Sequence, residues 1–485
     1  MSQTPDGSEY CNSCEQKLLS FLPLSYSMHY TINTMAQKTA PKTIRTDKWY
    51  IASDSEQKQY LLNTVQEYRR LCRFLVTVIC THWVDLGNLS GDNLVPAVER
   101  LVHGTTKNPN PKYPQISLAF HKFPSYLRRA AIMFTAGQVS SYMTRYRDWQ
   151  SGQSRNRRDA KPPILNSDAG CYPALYKGQC FKLHGFEKVE IKVFTGTDWI
   201  WITMPIVSLR ERHKVSTNQI KSPSLIVNDK SCHLSVPFEC HPEKVKGAGV
   251  VVAVDLGINT TATVSVVTRE GTVIHREFIH KGRDIDRRDK RLKSVSMRAK
   301  KTMGKGGKLG LGFCKNTYRK CRNINQQIGH TVSKRITQVA QTYSADAIVF
   351  EDLKGWKPSS GKKRSSLKQR FHGWLKCLIV DLTQRKWAEL GGKTITVIAA
   401  YTSKLAYDGS GKVKRDNKNY ALATFSSGKR YNCDLNGSYN IAARGWLKLD
   451  SRKDYEKRPS QNSGRLPRSW ACLWDLWNLN SPKLA

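Results

Sequence analysis

The stretch VVVAVDLGINTTATVSVV, residues 250–267, constrains the fold more than any other part of this sequence. Its valines predict a buried strand, followed by a turn and a second strand. The first strand ends in a single carboxylate, Asp255. An ionised carboxylate in apolar surroundings is costly unless it is paired, hydrogen-bonded or bound to a metal. The fold must therefore supply a partner for Asp255.

Two further acids stand in similar positions. Glu351 ends the apolar run AIVFE, and Asp434 begins the helical pattern DLNGSYNIAARG. Adjacent parallel strands would place Asp255 and Glu351 side by side, and a facing helix would bring Asp434 to them. Such close carboxylates raise each other's pKa, and a hard divalent cation, Mg²⁺ or Mn²⁺, relieves the repulsion. Taken singly, each acid could equally cap a turn or a helix.

The charge of the chain points to nucleic acid. With 79 Lys and Arg against 38 Asp and Glu, the 485 residues carry a formal net charge of +41. Nucleic acid phosphate is the commonest partner of such a surplus. A membrane surface is the rival partner, but no basic amphipathic helix and no apolar run of roughly 18 residues is visible. The absence of a secretory pattern and the 13 scattered cysteines predict a cytoplasmic protein with reduced thiols.

Changes in composition divide the chain into segments. Residues 1–41 are expected to form a disordered extension. Short alternating runs predict a β-barrel or antiparallel sheet over 42–245, with helices inserted at about 56–160. Over 246–445, strands and helices in succession predict an α/β fold with a mixed sheet. Residues 446–485 are assigned as a C-terminal tail.

One internal segment is strongly basic. Residues 281–322 contain 16 Lys or Arg and three acids. Such runs are usually solvated faces, but this one lies inside the predicted α/β fold, so we expect it to contact nucleic acid. The candidate contacts are Arg287, Arg288, Lys290 and Arg291.

Three motifs carry a family resemblance. In order along the chain, VDLGINTTATVS, AIVFEDL and CDLNGSYNIA resemble the three motifs of a RuvC-like nuclease domain, and the surrounding sequence resembles the TnpB family, relatives of the type V CRISPR effectors. The resemblance implies an RNase H-like core, preceded by a wedge-like β-barrel with an inserted helical recognition domain. It also implies an RNA-guided DNA endonuclease, with guide RNA and target DNA as partners. In that pattern Asp255, Glu351 and Asp434 are the catalytic, Mg²⁺-binding acids.

The chain departs from the family at its zinc-binding element. AAYTSKLAYDG resembles the start of that element, but the first cysteine pair would fall at Ala406 and Gly409. Between Tyr401 and Asp434 the sole Cys or His is Cys433, and a closed zinc site needs four ligands. We therefore predict a degenerate element over 402–433 that binds no zinc. Its packing is assigned to three aromatic side chains, Tyr407, Tyr420 and Phe425.

Several functions share these features. The alternatives are a compact type V CRISPR effector, an RNA-guided DNA-binding regulator with little cleavage, and a strand-transferring transposase. The intact acid trio argues against the regulator. The guide, the flanking DNA motif and the oligomeric state are left open.

Overall fold

The computed structural model describes residues 43–152, 162–168, 170–207, 209, 219–228, 231–304, 306–353, 370–371, 373–416, 418–450 and 471–480. The predicted N-terminal extension lies outside these residues. The chain separates into two compact units, an N-terminal unit Met1–Cys240 and a C-terminal unit His241–Ala485. Among the helices described, none combines the length and the apolar composition needed to cross a membrane.

The N-terminal unit is built on a six-stranded antiparallel sheet in the order β2-β3-β4-β1-β6-β5. Its strands are β1 Thr43–Ile51, β2 Phe181–His184, β3 Lys188–Phe194, β4 Trp199–Val207, β5 Ser224–Asn228 and β6 Ser231–Cys240. Strand β1 pairs with β6 along its whole length but with β4 only through Tyr50 and Ile51. The sheet is therefore nearly divided at β1, with β2–β4 on one side and β5–β6 on the other.

Five helices follow β1 and precede β2 in the chain. They are α1 Ser55–Thr81, α2 Trp83–Leu86, α3 Gly91–Val102, α4 Pro114–Ala119 and α5 Ser125–Gln150. The longest, α1, begins with a capping box. The Asp54 carboxylate accepts from the Gln57 backbone N–H, and the Gln57 side-chain oxygen accepts from the Asp54 backbone N–H. Its apolar residues recur at helical spacing and are buried: Leu61, Val65, Tyr68, Leu71 and Leu75. Packing of this face anchors the helices to the sheet.

The C-terminal unit has a mixed five-stranded sheet in the order β11-β10-β7-β8-β9. Its strands are β7 Val250–Asp255, β8 Ala262–Thr268, β9 Val273–Ile279, β10 Ala347–Asp352 and β11 Thr394–Ile398. The first three strands are antiparallel neighbours, whereas β10 and β11 extend the sheet in parallel with β7. The mixed α/β sheet predicted from the sequence is thus confirmed.

Helices cover both faces of this sheet. They are α6 Gly282–Met303, α7 Lys315–Thr342, α8 Lys376–Glu389, α9 Cys433–Leu449 and α10 Leu473–Asn480. Alternate residues of β7 point to opposite faces, so Val252 and Val254 pack with α7 and α8, while Val251 and Ala253 pack with α9. Burial on both faces explains the uninterrupted apolar run that ends at Asp255.

Residues 402–433, predicted to form a degenerate zinc-binding element, contain a small three-stranded antiparallel sheet. It consists of β12 Lys414–Arg415, β13 Leu422–Thr424 and β14 Arg430–Asn432. Its packing centres on Tyr407, whose ring lies 5.6 Å from that of Phe425 and 5.2 Å from that of Tyr431. The predicted contribution of Tyr420 is wrong, because this side chain is 66% exposed. Position 406 holds a buried alanine in this cluster.

Candidate functional site

Two of the predicted acids lie next to each other at the carboxyl ends of neighbouring strands of the mixed sheet. Strands β7 and β10 are parallel neighbours, and Phe350 lies opposite Val254. One residue further on, Glu351 and Asp255 stand at the same level. The expected adjacency of the two strand ends is confirmed.

The third acid reaches the same place from α9. Asp434 lies in its first turn, and Asn432 caps the helix by accepting from the backbone N–H groups of Asp434 and Leu435 at 2.9 and 3.0 Å. One turn later Gly437 faces Asp255 so closely that a Cβ there would lie 2.7 Å from its Oδ2. A side chain at position 437 would therefore force the Asp255 carboxylate to move.

The three carboxylates interact electrically. Desolvation, followed by the charges of Glu351 and Asp434, raises the pKa of Asp255 well above its ordinary value, with Arg415 acting in the opposite direction. Burial also raises the pKa of Glu351, against a hydrogen bond from Thr402 and the charge of Arg444. Ionisation of these two acids is therefore unfavourable in the folded protein, and a bound cation would offset that cost.

The donor chemistry of the trio fits a hard divalent cation. Carboxylate oxygens are the ligands that Mg²⁺ and Mn²⁺ take, and all three acids remain partly accessible to solvent. As the side chains stand, no group of three or more His, Cys, Asp or Glu in the described part of the chain has the arrangement of a formed metal site. The fit of these three acids to Mg²⁺ or Mn²⁺ therefore rests on their carboxylate oxygens and on the repulsion between their charges.

Sequence reasoning missed the side chain that holds Glu351. The hydroxyl of Thr402, only 2% exposed, donates to Glu351 Oε1. The signal lay in AAYTSKLAYDG, a stretch interpreted only as the start of a zinc-binding element. A threonine following the strand next to β10 was the available clue.

The predicted basic contacts do not all face solvent. The guanidinium of Arg288 is buried and bonds to Asp289 at 2.9 Å and to the Gly373 carbonyl at 2.7 Å. A cation already satisfied inside the fold is a poor phosphate contact, so the prediction for Arg288 needs correction. Arg288 instead links α6 to the backbone at Gly373.

The remaining three, Arg287, Lys290 and Arg291, form what we call the outer basic set. Lys290 is exposed, Arg287 is exposed and pairs with Asp284 at 3.0 Å, and Arg291 is half-buried. All three acids of the 281–322 segment lie at or before residue 289. Beyond them this segment offers only positive charge.

Comparisons with known proteins give the following matches. A family model described as the Aq_aa04 family matches residues 45–195. A TnpB-like protein, aq_aa05 of Aquifex aeolicus (strain VF5), is 23% identical over 237 residues, which are 46% of this chain and 76% of that protein.

Two of the solved structures that are similar to this chain are the following. The Cas12f1–sgRNA–target DNA complex matches 83% of this chain and 99% of its own chain, at 12% identity and a TM-score of 0.47. The mini-RNA-guided endonuclease CRISPR-Cas_phi3 matches 90% and 97%, at 10% identity and a TM-score of 0.48.

Proposed function

We propose that the chain is an RNA-guided DNA endonuclease of the TnpB type, and its similarity to a TnpB-like protein supports the proposal. One observation carries the proposal. Asp255 and Glu351 lie at the carboxyl ends of adjacent parallel strands, Asp434 lies in the first turn of the helix packed against them, and desolvation, followed by the charges of the other two acids, raises the pKa of Asp255. A site that gathers acids in a chain of net charge +41 is suited to holding a cation against a phosphate.

We assign the C-terminal unit to a RuvC-like nuclease fold with an RNase H-like core. Three antiparallel strands, continued by two parallel strands at the β7 edge, support this assignment. We assign the N-terminal unit to a wedge-like β-barrel carrying a helical recognition insertion. Its support is the sheet interrupted in sequence by five helices between β1 and β2.

Asp255, Glu351 and Asp434 would hold Mg²⁺ or Mn²⁺. A divalent cation held there would supply charge stabilisation to a phosphate undergoing hydrolysis. The protein's own part is to keep the three carboxylates together before the cation arrives. The Asn432 cap fixes the start of α9, and the Thr402 hydroxyl bonds to Glu351.

Target choice would belong to the guide RNA. In this division of labour, base pairing reads the sequence, while the protein recognises backbone shape and a short flanking DNA motif. We assign the motif to the N-terminal unit, and we include the outer basic set among the phosphate contacts. Neutralised phosphates release counterions, so binding should weaken steeply as salt rises.

The test begins with protein purified from cells that carry its flanking DNA. Sequencing of the bound RNA identifies the guide, and the complex is then incubated with Mg²⁺ and a plasmid that holds the matching target beside randomised flanks. Cleavage that requires both the match and one flanking motif supports the proposal. Binding without cleavage would favour the regulator, and joined DNA strands would favour a transposase; either result contradicts the endonuclease.

A further inference from the structure

Thr402 is placed to control the orientation of Glu351. It lies in the loop over residues 399–405, which follows β11, the strand next to β10. Its hydroxyl has two acceptors within reach, Glu351 Oε1 and, at 3.0 Å, the Ala399 carbonyl. A hydroxyl carries one proton, and an ionised carboxylate is the stronger acceptor. The bond to Glu351 is therefore the favoured one.

The loop itself is fixed by a polar row on α9. Asn436, Asn440 and Arg444 are spaced four residues apart, so they share one face of the helix, and all three are fully buried. Their side chains donate to backbone carbonyls of the loop and its flanks. The bonds run from Asn436 to Leu405 at 2.7 Å, from Asn440 to Thr402 and Leu405 at 2.9 Å each, and from Arg444 to Ile398 at 2.6 Å and Ala400 at 2.8 Å.

This row couples two of the acids. The helix that carries Asp434 also clamps the loop that carries Thr402, and Thr402 in turn bonds to Glu351. Of these five hydrogen bonds, four hold the loop itself and one holds Ile398 at the end of β11. They fix the backbone that carries the Thr402 hydroxyl beside the carboxylate.

We propose that Thr402 is a positioning residue that orients the Glu351 carboxylate for metal binding, with the polar row of α9 as its support. This inference rests on the proposed role of Glu351 as a metal ligand. Groups that hold a ligand from behind typically change metal affinity by 10–100-fold when they are removed. Thr402 would act through Glu351 and would not touch the cation.

The test compares full-length variants freed of nucleic acid, with Mn²⁺ alone as the probe. Thr402→Val keeps the shape and removes the hydroxyl, whereas Thr402→Ser keeps the hydroxyl. Free Mn²⁺ is measured by electron paramagnetic resonance across a titration, and thermal unfolding is recorded for each variant. We expect Thr402→Val to weaken Mn²⁺ binding by about tenfold or more and Thr402→Ser to bind nearly as the parent does. Should the valine variant fail to fold, Thr402→Ala takes its place in the same comparison.

The variant Glu351→Gln distinguishes failure of the positioning role of Thr402 from failure of the proposed metal site. If Glu351→Gln loses Mn²⁺ binding but Thr402→Val retains it, the positioning role is wrong and the metal site stands. The role is equally overturned if Thr402→Ser loses as much affinity as Thr402→Val, because shape would then be the cause. If Glu351→Gln binds Mn²⁺ like the parent, the proposed metal site itself fails.

Discussion

Gly437→Ala should damage the site without damaging the fold. The added methyl carbon would lie 2.7 Å from Asp255 Oδ2, whereas ordinary contact begins near 3.4 Å. The carboxylate must therefore retreat by about 0.7 Å. Active-site groups need placement within about 0.5 Å, and a misplacement of about 1 Å can lower a rate about 100-fold. We expect DNA cleavage to slow by about 10- to 100-fold.

The stability of the same variant should hardly change. Alanine is favoured over glycine in a helix interior by about 1 kcal/mol, and overpacking costs about 1–3 kcal/mol. The two effects oppose each other, and the Asp255 side chain can turn aside because it is partly exposed. The free energy of unfolding should therefore stay within about 1–2 kcal/mol of the parent value.

Gly329→Ala provides a matched control. Gly329 also lies inside a long helix, α7, and its added Cβ would meet Leu378 Cδ2 at 2.9 Å. That contact is with the end of an apolar side chain. Cleavage rates of both variants are measured with saturating guide and target, alongside urea unfolding. Equal rates for Gly437→Ala and the parent would refute the close approach of α9 to Asp255, and equal losses in the two variants would make the effect a general one.

Four further predictions concern other parts of the chain. Tyr407→Ala should destabilise the C-terminal unit by about 2 kcal/mol in urea unfolding, and elemental analysis of the parent should find no structural zinc; near-stoichiometric zinc would contradict this. Changing the outer basic set to Gln should flatten the plot of log affinity against log salt by about 2, and an unchanged slope would make these residues a solvated face. Arg335 lowers the pKa of Glu277 below its ordinary value of 4.5. Their ion pair therefore stabilises the folded protein at pH values above 4.5, and this stabilisation is lost as the pH falls through the lowered pKa. Glu277→Gln should therefore cost up to about 1 kcal/mol at neutral pH and progressively less in acid; a pH-independent cost would contradict it.

The acid cluster was predictable because each member follows from a local pattern. A buried strand is recognised by its valines, its last residue marks the sheet edge, and Asp434 opens a helical repeat. Parallel pairing of β7 with β10 then needed only the order of strands and helices between them. These are the features that periodicity and chain order encode.

Contacts made by side chains far apart in sequence were not predictable in this way. Arg288 resembles its basic neighbours in the sequence, yet its partner at Gly373 is 85 residues away. Thr402 is separated from Glu351 by 51 residues, and the loop that carries its hydroxyl to the carboxylate is bonded to α9, a third element of the chain. Tyr420 was expected to pack because it is aromatic, but a turn carries it into solvent while Tyr439 of α9 joins the Tyr407 cluster at 5.2 Å.

We propose that Asp255, Glu351 and Asp434 form one catalytic site. The most direct measurement compares the parent with Asp434→Ala in Mg²⁺, recording guide-dependent DNA binding and DNA cleavage on the same preparation. Asp434 is the most informative choice, because it comes from a helix and reaches the strand-end acids only through the fold. Asp434→Ala should bind the matched target as the parent does and leave it uncut. Cleavage by Asp434→Ala at the parent's rate would contradict the proposal.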